Sequence, residues 1–317
     1  MDYHHIISEL LGTMSEANSI ISTDRKLMSL ISLLAILVSS LLYLTNIFSV
    51  KPFIDDMLMI EQNFLISSPP GSPEFAKLVV DLLNTTRSVI SVQSTFVVLN
   101  YIVSLLLTTT IIVSTTLVHF GHNEAEFKNL FEIVIKSLKR PFLTSVVDSM
   151  LTLGYLIIVL PIIASFFFFR SGYDSSIPFF VTTIFAYLLY VYFSMVWTMA
   201  LIVSVHEEVH GLEALGKAQQ LFKGMKVQGF VLNLIFGVVF MVLTLVLRAA
   251  EKYSMQMALG FGLVAKVCVF LFGMYWFVAY TVFYYKCKKN REEEVELLGS
   301  TDHNYTKLAA NTLLTII

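Results

Sequence analysis

SVHEEVHGLEALGKAQQLFKGMKVQGF, residues 204–230, is a polar, helix-patterned stretch held between two long apolar runs, PFFVTTIFAYLLYVYFSMVWTMALIVSV (178–205) and QGFVLNLIFGVVFMVLTLVL (228–247). Val209, Leu212, Leu215, Phe222 and Met225 recur at helical spacing, so the stretch reads as an amphipathic connector with one apolar stripe. Each flanking run is long enough to cross about 30 Å of hydrocarbon at about 1.5 Å per residue. The contrast between apolar span and wet connector repeats along the whole chain and sets the fold class: an all-α, polytopic membrane bundle of about six transmembrane helices with cytosolic amphipathic helices beside it.

Composition agrees. The chain has 317 residues, of which 56% are hydrophobic and 14% charged, with a mean hydropathy of +0.75. Soluble domains carry about 25% charged residues, so the bilayer is the solvent in which to reason. The formal net charge of −2 is near zero, and the basic residues are scattered, which excludes a nucleic-acid surface. Two cysteines, Cys268 and Cys287, provide neither a disulfide framework nor a metal cluster.

Outward from the centre, the expected spans are 27–50, 89–118, 142–169, 178–205, 228–247 and 257–285. Residues 1–26 carry Ile6, Ile7, Leu10, Leu11 and Met14 on one helical face, which predicts an interfacial helix lying on the membrane. Residues 51–88, with Pro52, Asp55, Asp56, Glu61 and SSPPGSPEF at 67–75, are expected to be a loop holding short helices. Asn123 with Glu126 predicts the cap of a second surface helix, whose stripe is Phe127, Leu130, Val134 and Leu138. Glu132 and Lys136 are spaced as an i,i+4 pair, as are Glu213 and Lys217. Two connectors of the same kind, one between spans two and three and one between four and five, make a weak repeat. A parallel duplication and the ordinary chemistry of loop helices both account for it. Arg170-Ser171-Gly172 ends span three. Residues 286–317 form a polar tail.

Lys and Arg divide 14 to 6 between the two sides, the larger group including Arg25, Lys26, Lys136, Arg140, Lys217, Lys223 and Lys288. The positive-inside rule then puts both termini and both connectors in the cytosol, in a plasma membrane or an endomembrane. In the tail, Glu293 with Leu297 and Leu298 has the form of an acidic dileucine sorting signal, and Cys287 between Lys286 and Lys288 that of an acylation site. Asn84 and Asn304 begin glycosylation tripeptides; the expected orientation keeps Asn304 bare and puts Asn84 outside but close to the membrane.

Three chemical readings follow. His206-Glu207-Glu208-Val209-His210 fits the zinc-protease pattern, in which two His one turn apart hold the metal and Glu acts as base. No third ligand stands at a suitable spacing, so we read it as a chance match in a solvated helix start, with no catalytic residue, metal or cofactor assigned. Four intramembrane polar residues, Asn100, Asp148, Asn233 and Lys266, are candidates for a polar path. By helix rise, Lys266 and Asn100 lie about 12 Å below the outer surface and face each other, whereas Asp148 lies about 10 Å from the cytosolic side near the level of Asn233. Snorkelling and helix–helix hydrogen bonds explain the same residues without a path. The function expected first is non-enzymatic: membrane organisation or trafficking, with lipid bilayer and possible cytosolic or membrane protein partners and no nucleic acid. A solute or lipid transporter is the alternative, and a metalloprotease the third reading.

The segment Ser204-Val205-x-Glu207-Glu208, followed by Gly211, Ala214, Lys217, Leu221 and Lys223-Gly224, resembles a recurrent segment of plant multispanning membrane proteins of unknown function. It is more distantly similar to the membrane domain attached to some bacterial glycerophosphodiester phosphodiesterases. The resemblance implies about six spans, a plant origin and a plasma-membrane or endomembrane location. It implies no reaction, since no phosphodiesterase domain accompanies it here.

Overall fold

The computed structural model describes residues 3–67, 73–121, 127–168, 176–250 and 255–290, and among them there is no strand. The elements are α1 (Tyr3–Thr23), α2 (Arg25–Ser67), α3 (Pro73–His119), α4 (Phe127–Ser137), α5 (Lys139–Phe168), α6 (Ser176–His206), α7 (Leu212–Leu221), α8 (Lys226–Ala250) and α9 (Met255–Asn290). Six of them, α2, α3, α5, α6, α8 and α9, are long and apolar enough to cross a membrane, so the protein is an all-α integral membrane protein. Each expected span falls on one of these helices. The apolar residues left exposed, among them Leu33, Leu37, Ile157, Phe185 and Val242, lie on their outward faces, where lipid rather than water is the neighbour.

The long helices alternate in direction, and their starts and ends collect α1, α4 and α7 at one end of the bundle. A core of buried residues sits there, with Met28, Ile31, Ile112, Val134, Met199, Ile202, Leu221, Phe222, Tyr280 and Phe283 drawn from α2, α3, α4, α6, α7 and α9 and from the turn after α7. Span, short amphipathic helix, span is the order of α3-α4-α5 and again of α6-α7-α8. The two triplets differ in packing: α5 leans mainly on α6, whereas α8 packs on α9, α6 and α1.

Three expectations are corrected. Residues 51–88 are not a loop with short pieces, because α2 runs on to Ser67 and α3 begins at Pro73. At about 1.5 Å per residue these helices are about 64 and 70 Å long, so each continues far beyond a hydrocarbon layer about 30 Å thick. Polar side chains broke the hydropathy signal there, but outside the membrane a polar helix is unpenalised. Pro52 is carried inside α2, at the cost of one backbone bond.

Next, α1 does not merely lie on a surface: Leu10, Thr13, Ala17 and Ile20 are buried against the bundle, chiefly α9, while Ile7 and Leu11 stay exposed. Lastly, the connector between α6 and α8 is not helical throughout. α6 stops at His206, Glu207–His210 bend away, and Gly211 turns the chain at φ 60°, a conformation that L side chains rarely adopt. The cap at 123–126, the turn at 170–172 and the tail features Glu293, Leu297, Leu298 and Asn304 lie outside the described residues.

Candidate functional site: an intramembrane cavity

The sequence pattern that most resembles catalysis lies at the crowded end, and its geometry is structural. His206 Nε2 shares a hydrogen bond of 3.1 Å with Thr116 Oγ1 of α3, which also accepts from the Tyr285 hydroxyl at 3.2 Å. Glu207 turns toward α7 and α9 instead: it pairs with Lys217, accepts from the Tyr284 hydroxyl at 2.8 Å and lies 3.9 Å from Lys288 Nζ. His210 stands exposed four residues past the helix end. The zinc-protease arrangement needs both His on one face of one helix, and the break at Glu207 denies it.

The same local structure explains the residues behind the family resemblance. Ser204, Ala214 and Leu221 are buried; Glu207 and Lys217 form the ion pair just described; Glu208 lies 3.9 Å from Arg140. Gly211 and Gly224 adopt positive φ of 60° and 109°, and the Gly211 N–H donates to the buried Thr144 hydroxyl at 2.9 Å. The segment therefore fastens α6, α7 and α8 to α5 and α9. Around it, Lys286 Nζ donates to Thr13 Oγ1 at 3.0 Å and lies 3.4 Å from Glu16. Gln228 donates to Glu9 at 2.8 Å, and His119 stacks on Tyr285 at 4.9 Å. These contacts close that end of the bundle. Cys287 is wholly buried among them, which removes it from reach of an acylating enzyme and corrects the sequence expectation. Glu132 and Lys136 do pair, at 3.0 Å.

Away from the closed end, α3, α6, α8 and α9 separate around a cavity of about 830 Å³, with α2 contributing Ser39. Asn100, Asn233 and Lys266 line it; Asp148 does not. Asp148 sits on α5 in the seam toward α3 and α6, where neighbouring residues bond across: the Tyr101 hydroxyl donates to Ser145 at 2.7 Å and the Tyr155 hydroxyl to the Ala186 carbonyl. One helical face carries Ser145, Asp148 and Tyr155, and it packs beside α6 rather than opening into the cavity. Helix rise gives depth, not neighbour: Asp148 lies outside this cavity, with its Oδ1 buried and unmatched in the α5 seam.

The two ends of the cavity differ in exposure. Asn100, Ser104, Met241 and Lys266 at one end are exposed, whereas Thr108, Ile111, Val191, Asn233 and Met274 at the other are buried. It is thus a cleft open on the Lys266 side and floored by the core. Lys266 Nζ lies over the ring of Tyr43 on α2, 5.8 Å from its centroid, and the Tyr43 hydroxyl fills the space beside Gly262.

The floor holds polar atoms that the protein leaves unmatched. Asn233 is 2% exposed and donates through Nδ2 to the Val191 carbonyl at 2.7 Å, but its Oδ1 has no partner, nor do the Tyr187 hydroxyl and the Trp276 Nε1. Unmatched buried polar atoms each cost about 1–3 kcal/mol. Three of them around one void, an acceptor and two donors, are what a ligand or bound waters would satisfy. Gly237 and Gly273 keep the space open: Gly237 admits the Tyr187 hydroxyl 3.0 Å from where a Cβ would stand, and nothing lies within 4 Å of that position at Gly273.

Tyr187 and Trp276 were not singled out by the sequence. The only sign available was the i,i+4 spacing of Asn233 and Gly237 on α8, which places a polar group beside a gap. Among the described residues no group of three or more His, Cys, Asp or Glu could hold a metal ion. No curated protein and no solved structure matches the chain. A model of a domain of unknown function, DUF8558, matches residues 7–311, and the chain belongs to that family.

Proposed function

We propose that this membrane protein binds a small amphipathic molecule in the α3/α6/α8/α9 cavity and passes it through the bundle, without catalysing a reaction on it. The observation that carries this reading is the cavity itself. Its 830 Å³ lies within the range of about 300–1,000 Å³ typical of small-molecule sites, and a mostly apolar wall with a few convergent polar groups is their usual lining. Asn100, Asn233 and Lys266 are the residues that would meet the ligand. A cleft open on one side and closed by an interlocked polar layer on the other is the form of one state of an alternating-access bundle. The transporter reading therefore stands ahead of membrane organisation.

Membrane organisation keeps one supporting observation. On α4, Phe131 and Ile135 are about half exposed while Leu130 and Val134 are buried, so the helix has an outer apolar face suited to a lipid interface or a protein partner. The excess of Lys and Arg at the closed end supports placing that end and both termini in the cytosol. The likeness of residues 204–224 to plant multispanning proteins supports a plant source and a plasma-membrane or endomembrane location; with the more distant likeness to the phosphodiesterase-linked membrane domain, it brings no reaction.

The test is thermal unfolding of the purified full-length chain with a panel of single-chain amphipaths. At a hundredfold excess over Kd, binding stabilises by about 2.7 kcal/mol, which raises Tm by several degrees. Gly273→Trp fills the cavity and abolishes the shift. If no member of the panel moves Tm, or if the shift survives Gly273→Trp, the reading is refuted.

A further inference from the structure

We infer that the cavity selects anionic amphipaths, a carboxylate or phosphate head on an apolar body, with Lys266 as the head-group contact. The inference rests on the binding reading above and narrows it to a chemical class.

Charge is the first argument. Among the described residues that line the cavity, Lys266 is the only one charged at neutral pH: no Asp, Glu, Arg or second Lys is among them. The described residues offer it no carboxylate partner, only the π face of Tyr43 at 5.8 Å. An ammonium within a membrane span costs a few kcal/mol unless it is compensated, and a ring face compensates only in part. A cationic ligand would be repelled here and a neutral one would leave the charge unmet. An anion supplies the missing counter-charge.

Position is the second argument. Lys266 stands at the exposed end of the cleft, as do Asn100 and Ser104, while the walls further along α9 include Phe272 and Phe277. Asn100 spends its Nδ2 on the Phe96 carbonyl at 2.8 Å. Lys266 and Trp276 are ten residues apart on α9, about 15 Å along the helix. A charged head at the mouth and an apolar body reaching toward the floor match that order of surfaces, and the open side lets a bilayer-dissolved molecule enter head outward.

The experiment measures Kd on the full-length chain in neutral-lipid nanodiscs, using probes with one alkyl chain and four heads: carboxylate, phosphate monoester, trimethylammonium and uncharged glucoside. Inorganic phosphate alone is the fifth probe. A charge-assisted contact predicts that the two anions bind about tenfold or more tighter than the glucoside, that Lys266→Met removes this preference and that Lys266→Arg retains it. Preference for the carboxylate over the phosphate, or the reverse, identifies the head within the class.

Equal binding of all four heads by the unaltered chain, still blocked by Gly273→Trp, overturns anion selection and leaves the cavity reading intact. Inorganic phosphate binding as tightly as the chain-bearing anions overturns the amphipath requirement. Failure of every chain-bearing probe to bind overturns both readings. The head-group series on the unaltered protein decides the matter even where a Lys266 variant does not fold.

Discussion

Replacing Glu207 by Ala separates a structural from a catalytic role for the 206–210 segment. The Glu207 side chain is 11% exposed and holds the Tyr284 hydroxyl at 2.8 Å as well as Lys217. A hydrogen bond to a charged group contributes about 1.5–3 kcal/mol. The ion pair adds about 0.5–1 kcal/mol, because Lys217 is 40% exposed and solvent screens it. Lys288, at 3.9 Å, adds little. The summed loss is roughly 2–4 kcal/mol, which at the about 2–4 °C per kcal/mol of domains of 150–250 residues lowers Tm by roughly 4–16 °C. The assay is thermal unfolding of the purified protein followed by intrinsic fluorescence. Tyr284→Phe alone removes the hydroxyl contact, and because it shares that contact with Glu207→Ala, the double variant loses less than the sum of the two singles. A Glu207→Ala protein as stable as the parent, or strict additivity with Tyr284→Phe, refutes the reasoning and returns Glu207 to the pool of residues without a structural task.

Glycines on α9 give a paired test of helix contact. A Cβ at Gly262 would collide with the Tyr43 hydroxyl, whereas at Gly260 no atom of the described residues lies within 4 Å; Gly262→Ala therefore displaces Tyr43 and costs about 1–3 kcal/mol, while Gly260→Ala stabilises by about 0.5–1 kcal/mol through helix propensity. Equal Tm changes for the two would show that α2 does not press on α9 there. Asn84 lies exposed on α3, about 50 Å along the helix from His119 and so clear of the hydrocarbon. With the closed end in the cytosol, Asn84 carries a glycan in a eukaryotic host, and Asn84→Gln or glycosidase treatment increases mobility on a denaturing gel. A bare Asn84 together with a decorated acceptor inserted near Lys136 would invert the orientation.

Apolar length and the spacing of Leu130, Val134, Glu132 and Lys136 made the spans and α4 readable, since hydrocarbon thickness and helical period constrain them directly. The extensions of α2 and α3 were not readable. Once Asp55, Asp56 and Lys77 leave the membrane, hydropathy no longer tells helix from loop. Depth along a helix brought Asn100, Asn233 and Lys266 to notice, and the fold gathers them around one void. Depth could not show that α5 carries Asp148 into a different seam, because which helices adjoin is a tertiary property. Tyr284 and Glu207 are 77 residues apart, and no local rule joins them. The helix stop at His206, which decides the fate of the 206–210 pattern, was foreshadowed only by Gly211.

The overlong pair α2 and α3 has a mechanical meaning. α2 brings Ser39 and Tyr43 to the mouth of the cleft, and α3 brings Asn100 and Ser104. Both helices continue well past the thickness of the hydrocarbon, so a load applied at their far ends has a lever arm about as long as the membrane is thick. Tilting the rods swings one side of the opening and leaves the fastened opposite end in place.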